Sequence, residues 1–290
     1  MRWSDGRRSD NVEDRRGMGG PVLAGGVGIL GIILALVVAL LGGDPFVVLQ
    51  QLGGGGGIGM GGAPVSMSRP RQQTPADNKL ADFVSVVLAD TEDTWTKAFR
   101  DNGGTYRSPK LVIFDGVANS ACGRAAGSTG PFYCPNDQKV YIDLNFYRQL
   151  RSQLGAPGDF AQAYVIAHEI GHHVQHLLGI DQQVQSMQRR IPQSQANQLS
   201  VRLELQADCF AGVWANQTQT QRGTLEQGDL EEALNAAARI GDDTLQRQST
   251  GWVRPESFTH GTSAQRQRWF ITGLRSGDIN SCDTFQAPQL

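Results

Sequence analysis

The sequence predicts an α+β domain, mainly helical with a small sheet, preceded by a single N-terminal transmembrane helix. Three observations predict it. Residues 160–179 and 199–216 each place apolar side chains at three- and four-residue steps, the period of helices with a buried face. Leu111–Phe114 and Lys139–Tyr147 read as short strands, the second alternating apolar with polar residues. The run from Val22 to Leu41 carries no charge. At about 1.5 Å per residue it reaches roughly 30 Å, the thickness of a bilayer core.

Residues 1–21 are polar and Arg-rich with mixed charge, and read as a disordered tail. Arg2, Arg7, Arg8, Arg15 and Arg16 precede the apolar run, and no Lys or Arg follows it until Arg69. Basic residues mark the cytoplasmic side, so the tail is expected in the cytoplasm and the rest of the chain outside a cell membrane crossed once. A cleavable signal peptide is the rival reading. Its apolar region would be shorter, and Gly42-Gly43-Asp44-Pro45 offers only a weak cleavage site. Residues 42–76, rich in Gly and Pro and including GGGGGIGMGG at 53–62, read as a flexible linker, which leaves 77–290 as the folded domain.

The chain has 290 residues, with 26 Lys+Arg against 28 Asp+Glu and a net charge of -2. Nothing in that balance points to a nucleic-acid partner, which leaves a basic excess. The cysteines at 122, 134, 209 and 282 all fall in the expected exported part. Four cysteines allow three pairings. Cys122–Cys134 with Cys209–Cys282 is favoured, because the first two bracket a short Gly-rich loop whose closure is worth about 3 kcal/mol. None has C-x-x-C spacing, which argues against a cysteine zinc site.

Along the domain, Leu80, Phe83, Val84, Val87, Leu88, Trp95 and Phe99 predict an amphipathic helix stopped at Asn102-Gly103. The strand at 111–114 closes at Asp115-Gly116. In the strand at 139–147, Val140, Ile142, Leu144 and Phe146 share one face. Lying just before the helix at 160–179, it can offer its edge to an extended peptide; an ordinary sheet strand explains the pattern as well. The Gln-rich region from Gly179 to Ser200 reads as a solvated surface or mobile cover, with Ile191-Pro192 breaking any helix there. Asp229 to Ile240 is a capped amphipathic helix. Thr262 or Ser263 caps another, which carries Trp269, Phe270 and Leu274 and ends at Gly277.

The chemistry lies in the first of the two long helices. Asp159 is placed to cap it and Gly179 to end it. Phe160, Ala163, Tyr164, Ala167, Ile170, Gly171, Val174 and Leu178 form its apolar face. Into it are set His168, Glu169 and His172, the pattern H-E-x-x-H. Two histidines one turn apart project from one side and can hold one metal ion. Glu169 sits roughly 100° round from His168, within reach of a water on that ion. So short a pattern arises by chance in unrelated proteins, but these polar residues interrupt an otherwise apolar helix, where unpaired polar groups are costly.

The second long helix carries Glu204 and Asp208, again one turn apart, among Leu203, Ala207, Phe210, Ala211 and Trp214. No basic residue stands between Leu203 and Arg222, so the pair asks for a cation as partner. Glu204 is expected to be the third metal ligand, leaving one position for water. Asp208 is expected to accept from the N–H of a ligating histidine and fix its tautomer. The two roles could be exchanged, but the longer side chain more easily spans from helix to helix. His176 lies two turns beyond His168, about 12 Å along the axis, too far to share the ion; it and His173 read as surface or packing residues. A metzincin-like third histidine is absent, because Gln175 and Leu178 stand where Gly and His are needed. Thr259-His260-Gly261 puts a histidine on a turn, where it could polarise a substrate carbonyl or stabilise an oxyanion; a structural role fits nearly as well.

H168-E-I-G-H172 together with E204-L-Q-A-D208 resembles the gluzincin arrangement, in the E-x-x-x-D form shared with membrane-bound CaaX prenyl endopeptidases. More closely, residues from about 77 to 285 resemble the neutral zinc metallopeptidase family of bacteria, through SACGRA, GPFYCPNDQKVYIDL, AHEIGHHVQ, ELQADCFAG and SFTHGTSAQR. The resemblance implies a zincin-like peptidase fold holding Zn2+ and acting on a peptide or protein substrate.

The reading is therefore peptide-bond hydrolysis by a zinc-bound water, with His168, His172 and Glu204 as ligands and Glu169 as general base. Two rivals keep the same ligands: a membrane-tethered interaction protein with a purely structural zinc, and an amidase acting on a cell-wall component. Glu169 speaks against the first, since a structural site needs no base. Oligomeric state is left open by the sequence.

Overall fold

The computed structural model describes residues 1–17, 73–127 and 130–290. A four-stranded sheet has the order β1-β2-β6-β5, built from β1 (Val12–Asp14), β2 (Lys110–Phe114), β5 (Phe132–Cys134) and β6 (Lys139–Asp143). β1, β2 and β6 run parallel, with Leu111 opposite Val12 and Val140, while β5 closes the far edge antiparallel to β6. A small hairpin, β3 (Val117–Ser120) with β4 (Gly123–Ala126), stands beside it. The helices are α1 (Pro75–Asp101), α2 (Leu144–Ser152), α3 (Asp159–Leu177), α4 (Ile180–Gln188), α5 (Gln193–Arg222), α6 (Asp229–Arg239), α7 (Asp242–Thr250) and α8 (Ser263–Ser276). One face of the sheet, through Leu111, Ile113, Val140 and Ile142, joins Trp95 of α1, Tyr164 of α3 and Phe210 of α5 in a single core. Cys122 is bonded to Cys134 and Cys209 to Cys282.

Several boundaries move, each for a local reason. α1 begins at Pro75 because Thr74 and Asp77 form a capping box, which takes it into the expected linker. The strand expected to run to Tyr147 stops at Asp143, whose side chain accepts from the Asn145 N–H at 2.8 Å and starts α2. β6 is paired on both sides, so it has no free edge for a peptide; the outer strand is β5. Asp159 lies in the first turn of α3 instead of capping it. Glu232, from α6, accepts the Phe160 N–H at 3.0 Å in its place. Gly158, at φ 119°, leaves room for that carboxylate. The Gln-rich stretch is α4 and the first two turns of α5, broken at Pro192 as expected.

The largest correction concerns the N-terminus. Residues 1–17 are not a disordered tail but part of the domain. Trp3 packs edge-on to Phe83, with ring centroids 5.3 Å apart. The amino group of Met1 lies 2.7 Å from Asp159 Oδ1 and 3.3 Å from Asp229 Oδ1. Glu92, buried on α1, receives Ser9 Oγ at 2.6 Å, Asn11 Nδ2 at 2.7 Å and Arg7 at 2.9 Å. Arg16 donates to the Asp77 carbonyl at 2.9 Å, so the ends of the two segments meet. Of the charges that suggested disorder, Arg7 and Arg8 are matched to Glu92, Asp93 and Asp82 of α1, and Arg15 and Arg16 to Glu13 and Asp14 of their own segment.

The proposed span at 22–41 and most of the linker at 42–76 lie outside the described residues. Among the described residues no helix is long and apolar enough to cross a membrane. β1 hydrogen-bonds to β2, so residues 1–17 and 73–290 occupy the same side of any membrane.

Removing residues 1–17 would bare the β2 edge and leave Glu92 buried without its donors, a loss of at least about 2 kcal/mol. The unfolding midpoint of such a chain is expected to fall by about 5 °C or more relative to the full chain. Equal midpoints in a thermal melt would show that the segment does not belong to the fold. In protease protection on intact cells, residues 1–17 and the rest of the domain should be digested or spared together.

Candidate metal centre

α3 and α5 approach closely because neither has a large side chain at the crossing. A Cβ on Gly171 would lie 2.9 Å from the Ala207 carbonyl oxygen and 3.2 Å from the Ala207 Cβ. This backbone-to-backbone contact brings the two motif-bearing turns face to face. α5 meets α8 through a second such crossing, where a Cβ on Gly212 would overlap the Phe270 carbonyl and one on Gly273 the Cys209 carbonyl.

His168, His172 and Glu204 converge, with one ligand-type atom of each lying within 4.8 Å of the others. His168 Nε2 is 3.1 Å from Glu204 Oε2, and His172 Nε2 is 3.5 Å from Glu204 Oε1. Asp208 is fully buried, with Oδ1 2.8 Å from His168 Nδ1. Glu204 thus faces the Nε2 atoms and Asp208 the Nδ1. Glu169 is buried beside the two histidines and makes no hydrogen bond among the described residues. Its flanking histidines do not join. His173 packs against Tyr133 OH at 2.9 Å and the Arg107 carbonyl at 2.6 Å, and His176 pairs with Asp181 at 2.8 Å.

His260 stands on the loop before α8, with its side chain 40% exposed. Asp242 Oδ2 accepts the backbone N–H groups of Thr259, His260 and Gly261 at 2.8, 2.7 and 3.1 Å. The other oxygen, Oδ1, lies 3.3 Å from the imidazole Nδ1. Burial works against a proton on this ring, but the Glu204 carboxylate and Asp242 raise its pKa on balance.

Three contributors were not foreseen. Gln175 Oε1 lies 2.9 Å from His172 Nδ1, and its Nε2 donates to the Leu203 carbonyl at 2.6 Å and to Gln206 Oε1 at 3.1 Å. Tyr164 OH donates to Asp208 Oδ1 at 2.5 Å. Arg266, from α8, grips Asp208 through Nε at 2.8 Å and Nη2 at 2.9 Å. The absence of a basic residue between Leu203 and Arg222 of α5 is thus answered by one from another helix. A signal was present: Arg266 sits three and four residues before Trp269 and Phe270, on the apolar face of its helix.

Electrostatics bind the group together. Burial opposes charge on every member. Nevertheless Glu204 holds the His172 imidazole up at about 9, and Asp208 and Glu204 raise His168. Glu204 itself is driven well below the carboxylate range, chiefly by His172. Asp208 falls to about 2 because Arg266 and His168 outweigh its burial. Glu169 is raised by burial, a shift the neighbouring imidazoles only partly offset.

With this geometry in hand, the comparisons with known proteins are specific. The family model described as "Putative neutral zinc metallopeptidase" matches residues 1–285. The chain belongs to this family. The match begins at residue 1, where the motif-based resemblance began near 77, in keeping with the N-terminal strand of the sheet. The uncharacterized protein YpfJ of Escherichia coli (strain K12) is 53% identical over 291 residues, covering 98% of this chain and 99% of that protein. The uncharacterized protein Rv2575 of Mycobacterium tuberculosis (strain H37Rv) is 46% identical over 195 residues, 64% of this chain and 65% of that protein. No solved structure matches the chain.

The donor set fits a zinc ion. Ligand bonds of about 2.0–2.2 Å at tetrahedral angles hold donor atoms roughly 3.4 Å apart, and the His168–Glu204 and His172–Glu204 separations are 3.1 and 3.5 Å. Since His172 holds its proton to about 9 in the metal-free protein, a metal entering at neutral pH must expel it. Zinc affinity is expected to rise with pH up to about 9, with proton release on binding. Calorimetry in buffers of different ionisation heat measures that release; none at neutral pH would contradict the coupling.

Proposed function

We propose that this chain is a zinc-dependent peptidase that hydrolyses peptide bonds with Glu169 as general base. The observation that carries the reading is the convergence of two imidazole Nε2 atoms and the Glu204 carboxylate at zinc-ligand spacing, on a helix pair that also holds Glu169. His168, His172 and Glu204 would hold the ion, leaving a position for water. When bound, the metal polarises the scissile carbonyl and acidifies that water.

The remaining steps belong to the protein. Asp208 and Gln175 each accept from an Nδ1–H, on His168 and His172 respectively, so both Nε2 lone pairs face the centre. Glu169 takes a proton from the attacking water and delivers it to the leaving amine nitrogen; its raised pKa suits a group that must both accept and return a proton. His260, whose Nδ1 lies 3.3 Å from Asp242, would donate to the oxygen that gains charge. The substrate is a peptide or protein. The two disulfides fit an oxidising compartment.

Glu169→Gln should retain zinc and lose at least about a hundredfold in turnover of a peptide library. Near wild-type turnover would remove Glu169 from the mechanism. Glu204→Ala should lose zinc at concentrations that saturate the wild type; stoichiometric metal in that variant, read by elemental analysis, would refute the ligand role. A wild-type protein that binds zinc yet cleaves nothing in the library favours a structural centre or a non-peptide amide.

A further inference from the structure

Arg266 is only 2% exposed, although a guanidinium is among the groups that most resist leaving water. Nearly every donor it has is used. Nε and Nη2 take the two oxygens of Asp208 at 2.8 and 2.9 Å, Nη1 reaches the Ile240 carbonyl at 3.3 Å, and Nη2 also lies 3.3 Å from Tyr164 OH. Four helices meet at this one side chain: α3 through Tyr164, α5 through Asp208, the end of α6 through Ile240, and α8, which carries it.

The consequence falls on His168. Asp208 Oδ1 faces Tyr164 OH, Arg266 Nη2 and His168 Nδ1 at once. Nη2 also lies 3.3 Å from that Nδ1, and a guanidinium can only donate. A hydrogen-bonding lone pair on Nδ1 would point its acceptor between a carboxylate and a cation, leaving Asp208 short of a donor. The stable arrangement has Nδ1–H donating to Asp208, and Nε2 then faces Glu204. The two-point grip also fixes the plane of the Asp208 carboxylate, and with it the plane of the ring. Tyr164 alone, donating one hydrogen bond, would leave the carboxylate free to rotate.

We propose that Arg266 is a positioning residue of the metal centre: through its bidentate hold on Asp208 it sets the tautomer and orientation of His168 that present Nε2 to the ion. This rests on the reading of His168, His172 and Glu204 as zinc ligands. A plain helix staple between α5 and α8 would account for the burial, but not for a dependence of metal affinity that runs through Asp208.

The test is zinc affinity of the full chain, measured by competition with a chromophoric chelator, for the wild type, Arg266→Lys, Arg266→Met, Asp208→Asn and the Asp208→Asn/Arg266→Met pair. Arg266→Met is expected to lose about 10- to 100-fold in affinity. Arg266→Lys keeps the charge but offers no planar fork, and should lose several-fold with little change in unfolding midpoint. In the Asp208→Asn background, Arg266→Met should cost less than about threefold more, because the route to His168 is already cut. Equal losses in the two backgrounds, or wild-type affinity in Arg266→Lys and Arg266→Met, would overturn the role. Should Arg266→Met fail to fold, wild-type affinity in Arg266→Lys alone overturns it. A wild type that binds no zinc defeats the metal reading itself, an outcome separate from zinc binding that is indifferent to Arg266.

Discussion

The fold depends on how closely α5 lies to its neighbours. At Gly171–Ala207 it touches α3, and at Gly212 and Gly273 it touches α8, in each case with backbone against backbone or nearly so. The carboxylate oxygens of a glutamate lie only three bonds beyond its Cβ, so a tight crossing lets Glu204 meet histidines on another helix. The same tightness brings Arg266 onto Asp208. Ordinary helix pairs, separated by 8–10 Å between axes, are spaced by the side chains between them. Here the small residues remove that spacer, and polar side chains on either side of the contact become neighbours.

How much of this was readable in advance divides along physical lines. Helix periodicity located α1, α3, α6 and α8, and the H-E-x-x-H and E-x-x-x-D spacings named five residues that do come together, because one-turn spacing is a local property. Cysteine pairing followed from loop length. Arg266 and Gln175 escaped, since their roles exist only once separate helices have packed. In the sequence Gln175 stands out only as the residue that occupies the glycine position of the metzincin pattern. The strand carried past Asp143 shows the limit of alternation: Leu144 and Phe146 continue the pattern of β6 by coincidence, and the capping oxygen of Asp143 overrides it.

The misreading of residues 1–17 is of another kind. Composition judges a segment by what it could bury, and this one buries little besides Met1 and Trp3. Its attachment is polar and non-local: Ser9, Asn11 and Arg7 on Glu92, the Met1 amino group on Asp159 and Asp229, and β1 on β2. Each partner lies tens to hundreds of residues away in sequence. The acids of α1 that look like a solvated face are in fact the docking surface for a segment that precedes them by more than sixty residues.

The buried charges around the centre also explain why a divalent ion suits it. Glu169, Glu204 and Asp208 are formal anions, and among the buried groups of the cluster Arg266 is the fixed cation. Two negative charges remain. Without metal, both imidazoles are pushed toward protonation by the carboxylates that face them. An ion of charge two would offset those two negative charges without protons on the rings. A monovalent ion would leave a buried anion uncompensated and a trivalent one a buried cation, each of which carries a desolvation cost of several kcal/mol in so enclosed a site. Charge as well as geometry therefore favours a divalent guest at this centre.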